Sequence, residues 1–404
     1  MRTAISDAHN VSKLDSWARW WSLLAVCGFV IAFFVIPDEG AQRELFQGLL
    51  AVPWLISLFL VSYRPIWSER LIQLMLVTVL YLGVTALWFD ISDSRHLLRA
   101  LREVCYVICW LLLVGFACTR NPGLVQKLLL PLYLVASLAA IVFILQYGLH
   151  NDWSIDEPMV PGWKFGNQNR LAKTYGVMLF LGVGGLYLLQ GAWRKGLALF
   201  NIYLAVAVIL LTRSKGAAYA VVLTLPFLLL MDEHIKSVLK RHWRSLSVLL
   251  LIAAGLVLAL GVVSDFSGDG WSNRNFIWPA ALQEWLQHPW FGYGYMRDAE
   301  IVGTNGEIFS HEHNLPLALL RQSGLVGFAL FLGPLLWLVV LCFRGPTVMQ
   351  RMWGVVLVYC LFASLSGGKF PLVRPEDSWF WTWVPIAFAL AANMQKKDLE
   401  NRLG

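Results

Sequence analysis

Apolar runs of roughly 17–25 residues, each long enough to cross a hydrocarbon core of about 30 Å as a helix, recur along the whole chain. They fall near 17–36, 44–62, 71–89, 101–118, 128–148, 171–190, 196–212, 216–231, 246–263, 313–343, 350–367 and 379–394. Residues 1–404 therefore read as a single polytopic domain, an all-α integral membrane protein of about 12 transmembrane helices. Composition agrees: 58% of the 404 residues are apolar and 14% are charged, against about a quarter charged in soluble domains. The first run has a basic flank (Arg2, Lys13, Arg19) but no small-residue cleavage pattern after it, which predicts a retained span and not a removed signal peptide.

An even number of spans puts both termini on one side. The loops on that side, "YRPIWSER", "TRNPGLVQK", "WRKG", "DEHIKSVLKRHWR", "FRGPTVMQR" and the tail "MQKKDLENR", hold the excess of Lys and Arg that marks a cytoplasmic face. The formal charge of +7 is then mainly a topology signal, and nucleic acid is not expected among the partners. The six cysteines lie within or at the ends of spans with no CxxC pair, so neither a disulfide framework nor a zinc site is encoded. There is no P-loop and no GxGxxG, so any energy or leaving group must arrive with the substrate.

The opposite face carries the informative loops. "HNDWSIDEPMVPGWKFGNQNR" occupies 150–170, and a loop of about fifty residues spans 264–312; loops of that length usually carry function or structure of their own. Within the longer one, "NFIWPAALQEWLQH" has a helical apolar stripe (Phe276, Ile277, Ala280, Ala281, Leu282, Trp285, Leu286) that ends at "HPWFGYGY". Its tryptophans suit a short helix lying at the membrane interface, among membrane lipids. Around these loops stand Arg170, Lys173, Arg213, Lys215, Arg274, Arg321, Lys369 and Arg374. A cation at a span mouth fits snorkelling to headgroup phosphates or a binding role. In "LTRSKGAAYA" a tight turn brings Arg213 and Lys215 close along the chain with a glycine directly behind them, as a lipid-linked diphosphate would require.

"HEHNLPLALLRQSGLVGF", residues 311–328, places Glu312, His313 and Asn314 at the head of an apolar segment. Asn314 suits an N-cap and the following proline a first helical turn. A helix N-terminus favours an anion and disfavours protonation of a nearby imidazole, so His313 fits a proton acceptor as well as a structural entry residue. Gly324 and Gly327, further along, are expected to dock this helix closely against a neighbour.

The spacing His313-Asn314, nine residues, then Gly324-Leu325-Val326-Gly327 resembles the H-[N/S/Q]-x9-GxxG signature of the O-antigen ligase and polymerase membrane superfamily. "TRSKGA", "SNRNFIWPAALQEWLQHPWFGYG" and "FGNQNRLA" resemble further motifs of that family in the same order, together covering about residues 166–330. Two departures stand out: Lys215 occupies a position where the family has arginine, with Arg213 two residues before it, and Phe328 follows the last glycine.

The resemblance implies a GT-C-like fold and a metal-independent, cofactor-free, inverting glycosyltransferase of the bacterial inner membrane, with cytoplasmic termini and a periplasmic active face. The donor is an undecaprenyl-diphosphate-linked glycan and the favoured acceptor the lipid A-core of lipopolysaccharide. His313 is the implied base, and Arg274, Lys215, Arg213 and Arg170 the implied diphosphate ligands. Asn314, Glu312, Arg321, Asp377, Gly324 and Gly327 are supporting residues; Glu312 and Asp377 could orient the imidazole or an arginine. A polymerase using a second lipid-linked repeat unit and a non-catalytic transporter of lipid-linked glycan are the alternatives. A transporter would be expected to show internal repeats and midplane charges, and no repeat relates the two halves.

Overall fold

The computed structural model describes residues 2–88, 94–153, 157–160, 165–231, 274–295, 301–302, 306–309 and 311–403. It is mostly helical, with one short antiparallel strand pair, Ile301–Val302 and Ile308–Phe309, among the described residues. Six helices there are long and apolar enough to cross a membrane: Arg70–Trp88, Arg95–Arg120, Leu124–His150, Gln168–Leu188, Ala192–Leu211 and Leu315–Arg344.

Uninterrupted helices among the described residues thus account for six of the expected 12 or so. Ser16–Ala32, Lys215–Met231 and Val348–Ser364 are apolar but shorter. The run at 44–62 divides into Glu39–Leu45, a π-helical turn Phe46–Ala51 and Val52–Ser57. Pro53 explains the division: it has no N–H to donate back along the helix, and the wider turn before it absorbs the fault. The run at 379–394 begins as a 3-10 turn, Asp377–Trp381, before the helix Trp383–Leu403. The expected span at 246–263 lies outside the described residues, as do parts of the 264–312 loop.

Two compact units divide the chain. The first comprises 1–79, 102–213 and 373–404, the second 80–101 and 214–372. In the first, Phe29, Phe46, Trp110 and Trp379 form a buried aromatic cluster with edge-on contacts such as Phe29–Trp110 and Phe46–Trp379, each at 5.3 Å. Several buried donors of this unit bond to backbone carbonyls on neighbouring helices. The Asn201 amide donates to Met178 at 2.9 Å, Tyr133 to Leu181 at 2.6 Å and Tyr175 to Ala136 at 2.7 Å. These bonds remove the penalty of burying polar atoms in an apolar interior and fix the helices against one another.

In the second unit the 264–312 region has a small core of its own. Residues 274–287 form the expected helix, and Ile277, Ala280 and Ala281 bury against Ile301, with Trp278 and Phe309 packed on them. Part of the stripe is thus covered by protein, while Leu282, Leu286, Trp290 and Phe291 remain exposed.

Candidate active site

The helix Leu315–Arg344 opens as the sequence indicates. Asn314 is extended at its N-cap, and its side-chain oxygen accepts from the Leu317 N–H at 3.0 Å. Pro316 stands in the first turn, where a missing N–H costs nothing. The Asn314 amide also donates to the Leu365 carbonyl at 3.0 Å, which ties the helix start to the turn after Val348–Ser364.

His313, directly before the cap, has φ of +52°. Few non-glycine residues adopt this left-handed conformation; it costs on the order of 1–3 kcal/mol and tends to occur where function needs a side chain aimed against local preference. Its ring lies 3.8 Å from that of His311. The two histidines of the opening motif therefore touch, which the linear spacing does not reveal.

Glu312, between them, is fully buried. One carboxylate oxygen accepts from Arg321 at 3.0 Å and from Gln322 at 3.4 Å, and the Glu312 carbonyl accepts from the Trp278 indole at 3.1 Å. The other oxygen, Oε2, is buried without a hydrogen-bond partner among the described residues. Arg321, itself buried, donates its Nε to Glu284 at 2.6 Å. Of the two tasks open to Glu312, orienting an imidazole or an arginine, the geometry supplies the arginine. A buried ion pair of this kind contributes little net stability, because desolvation offsets attraction, but removing one partner is expensive. It acts as a fixed clamp between the His313 loop, the Arg274–Gln287 helix and the first turns after Asn314.

The cationic motifs converge on the turn that follows Val348–Ser364. The Arg274 guanidinium donates to the Ser366 carbonyl at 2.7 Å. Lys215 begins the helix Lys215–Thr224, and Gly216 beside it is pressed so closely against the Ser366 side chain that no Cβ fits. A Cβ at Gly368 would lie 2.6 Å from that of Leu315. Residues 365–368 thus bring together Lys215, Arg274 and the Asn314 cap.

Gly324 corrects the expectation of close helix docking. Its φ of +66° and ψ of −171° break the helix, and a Cβ there would collide with the backbone of Trp290 and Phe291. The segment Pro289–Gly294 passes through this break. The Tyr293 and Gly294 N–H groups donate to the carbonyls of Arg321 and Gln322, both at 2.8 Å. Those of Leu325 and Val326 donate to Pro289 at 2.8 Å and Trp290 at 3.1 Å. Four intersegment bonds replace those the broken helix cannot make. Gly292, at φ +70°, is the counterpart, for a Cβ there would meet the Gln322 and Gly324 backbone at 2.6 Å. Gly327 does serve packing: a Cβ would press on the Ser323 side chain and approach the Tyr81 ring to 3.1 Å.

Arg170, Arg213 and Asp377 belong to the first unit. Arg213 stands at φ +51° in the turn after Ala192–Leu211, two residues before Lys215. Arg170 is ion-paired with Glu39 and lies 3.9 Å from Asp377, which is almost fully buried; Glu39 also pairs with Arg374 at 3.4 Å. Asp377 thus faces an arginine. Sequence reasoning missed Glu39 and Glu284. Glu39 is far from Arg170 in the chain, whereas Glu284 lies within the helical "NFIWPAALQEWLQH" and was discernible as the carboxylate of that segment.

A many-helix membrane protein whose charged groups gather at helix mouths is the class these features define. A family model described as O-antigen ligase matches residues 199–332, the stretch holding Arg213, Lys215, Arg274, Glu312, His313 and both glycines of the helix break. An O-antigen ligase of Pseudomonas aeruginosa is 25% identical over 411 aligned positions, covering 98% of this chain and 96% of that protein. Both likenesses support the O-antigen ligase family and, with it, a place in lipopolysaccharide biosynthesis.

Proposed function

We propose that this protein transfers a glycan from undecaprenyl diphosphate to the lipid A-core oligosaccharide at the periplasmic face of the bacterial inner membrane, its termini being cytoplasmic. The observation that carries the reading is His313 held in a strained left-handed conformation immediately before an Asn314-capped helix, with Glu312 locked to Arg321 behind it.

In this mechanism an acceptor hydroxyl gives its proton to the His313 imidazole as its oxygen attacks the anomeric carbon. The bond from that carbon to the diphosphate oxygen breaks on the opposite side, the electron pair leaves with the diphosphate, and the configuration inverts. Arg274 and Lys215 stabilise the leaving group as fixed cations, and Arg213 adds a charge at the same turn of the chain. Arg170 is already compensated by Glu39 and Asp377, so the diphosphate role assigned to it on sequence passes to the other three. Asn314, Glu312 and Arg321 position the imidazole through the backbone, while Gly324 and Gly327 shape the helix that bears it.

The test is reconstitution with lipid-linked glycan and either lipid A-core or a second lipid-linked repeat unit. Transfer to the core is expected, with His313→Ala lowering the rate by roughly two to four orders of magnitude while donor binding persists. Transfer to the repeat unit alone would make the protein a polymerase. Translocation without a new glycosidic bond would make it a transporter, and near-normal transfer by His313→Ala would end the catalytic assignment.

A further inference from the structure

The first unit contains a cleft of about 440 Å³ where the chain leaves the first helix at Pro37 and where the connections at 165–167 and 373–377 meet it. This volume falls within the range of small-molecule sites, roughly 300–1,000 Å³. Among the described residues its charged lining is evenly balanced: Asp38, Glu39 and Asp377 accompany Arg43, Arg170 and Arg374. We propose that this cleft binds a neutral saccharide segment of the glycan, an assignment that rests on the glycosyltransferase reading for its biological role and gives the sugar part of a substrate its own seat.

The balance of charge decides the ligand class. A phosphate entering here would meet three carboxylates, and a metal cation three guanidiniums. A polyol suits both sets, because each hydroxyl can donate to a carboxylate and accept from a guanidinium. The carboxylates and guanidiniums are already held in alternation, Arg374 to Glu39 to Arg170 to Asp377, so the lining is ordered before any ligand arrives. Stability is a weak reason for such a network, since partly exposed ion pairs contribute only about 0–1 kcal/mol each.

The wall of the cleft is also strained. Phe165 and Gly166 are consecutive left-handed residues, at φ +69° and +53°. For a bulky side chain that conformation is a true outlier, costing on the order of 1–3 kcal/mol. The buried Phe165 ring, edge-on to Phe143 at 6.0 Å, holds the turn in place. The turn in turn leaves Gly166 bordering the cleft with no heavy atom of the described residues, its chain neighbours apart, within 4 Å of where a Cβ would stand.

Gly166 provides the discriminating variant. Gly166→Asn keeps every charge of the network, asparagine tolerates the left-handed region better than other side chains, and the added amide enters the cleft. The full-length protein, in a detergent without a sugar headgroup, is mixed with D-glucose, D-galactose or N-acetyl-D-glucosamine and read by saturation-transfer difference NMR. At least one sugar is expected to show saturation transfer, reduced at least tenfold by Gly166→Asn and by Glu39→Gln, retained in His313→Ala and undisturbed by excess inorganic pyrophosphate. No transfer to any of the three sugars, a signal persisting in both cleft variants, or displacement by pyrophosphate overturns the proposal; the last would make this an anion site. Glycosyl transfer is measured separately. Sugar binding without transfer in the wild type would sink the enzymatic reading and leave the cleft, whereas transfer without cleft-dependent binding would do the reverse.

Discussion

Replacing Gly324 by alanine tests the account of the broken helix. The observed φ and ψ lie in a region essentially restricted to glycine, so strain alone costs about 1–3 kcal/mol. The new methyl would also collide with backbone at Trp290 and Phe291, which no side-chain rotation relieves. The Pro289–Gly294 segment must then withdraw, and its four bonds, at about 1 kcal/mol each, are lost. The total is roughly 5–7 kcal/mol, comparable with the whole stability of many domains at about 5–15 kcal/mol. Gly333→Ala is the control, since that glycine lies in the same helix and, chain neighbours apart, no atom of the described residues comes within 4 Å of a Cβ; the usual gain of roughly 0.5–1 kcal/mol for alanine is offset by crowding against the following Pro334, so little net change is expected. Fluorescence-detected thermal unfolding of both variants in one detergent should show Gly324→Ala unfolded or strongly destabilised and Gly333→Ala close to the wild type. Hydrogen exchange at the Tyr293 and Gly294 amides should accelerate in whatever folded Gly324→Ala remains. Similar melting of the two variants, with those amides still protected, would refute the threading argument.

Other variants probe the charges. Lys215→Arg should sustain transfer, because the cation is retained and the superfamily side chain is restored, while Arg274→Ala should greatly weaken binding of lipid-linked diphosphate; loss of turnover in Lys215→Arg with Lys215→Ala intact would exclude this turn from the phosphate site. Arg321→Met should destabilise by about 3–5 kcal/mol by stranding buried Glu312, and Glu312→Gln in the same chain should restore a large part of it; additive losses in the double variant, measured by thermal unfolding, would show that the two side chains are not coupled.

The parts of the fold written in local chemistry were legible. Asn314 and Pro316 announce a helix start that the cap geometry confirms, and the stripe at 275–288 closely matches the helix Arg274–Gln287. Gly324 was misread because a glycine's purpose depends on what approaches it. Here that is a backbone from Pro289–Gly294, and only the paired glycines Gly292 and Gly294 within "HPWFGYG" hint at such a crossing. Charge partners were equally hidden: Arg170 looks like one more outward cation until folding brings Glu39 to it. The twelve spans were counted from hydropathy, which does not register a π turn at Phe46–Ala51 or a 3-10 entry at Asp377–Trp381. His311 precedes the motif in the chain, yet its ring is in contact with that of His313. His311→Ala is therefore not an independent control for the base.

The break at Gly324 has a consequence for biogenesis. Leu325–Arg344, on the far side of it, rises about 30 Å at about 1.5 Å per residue, enough to cross the bilayer core by itself. Insertion thus needs nothing from Leu315–Ser323. An arginine at the centre of an inserting segment carries a penalty of about 2.5–3.5 kcal/mol, and Arg321 and Gln322 escape it by lying before the break. The stub that follows His313 can be as polar as its chemistry demands, and a substitution there is paid for in folding and turnover while the membrane anchor, set by other residues, is delivered unchanged.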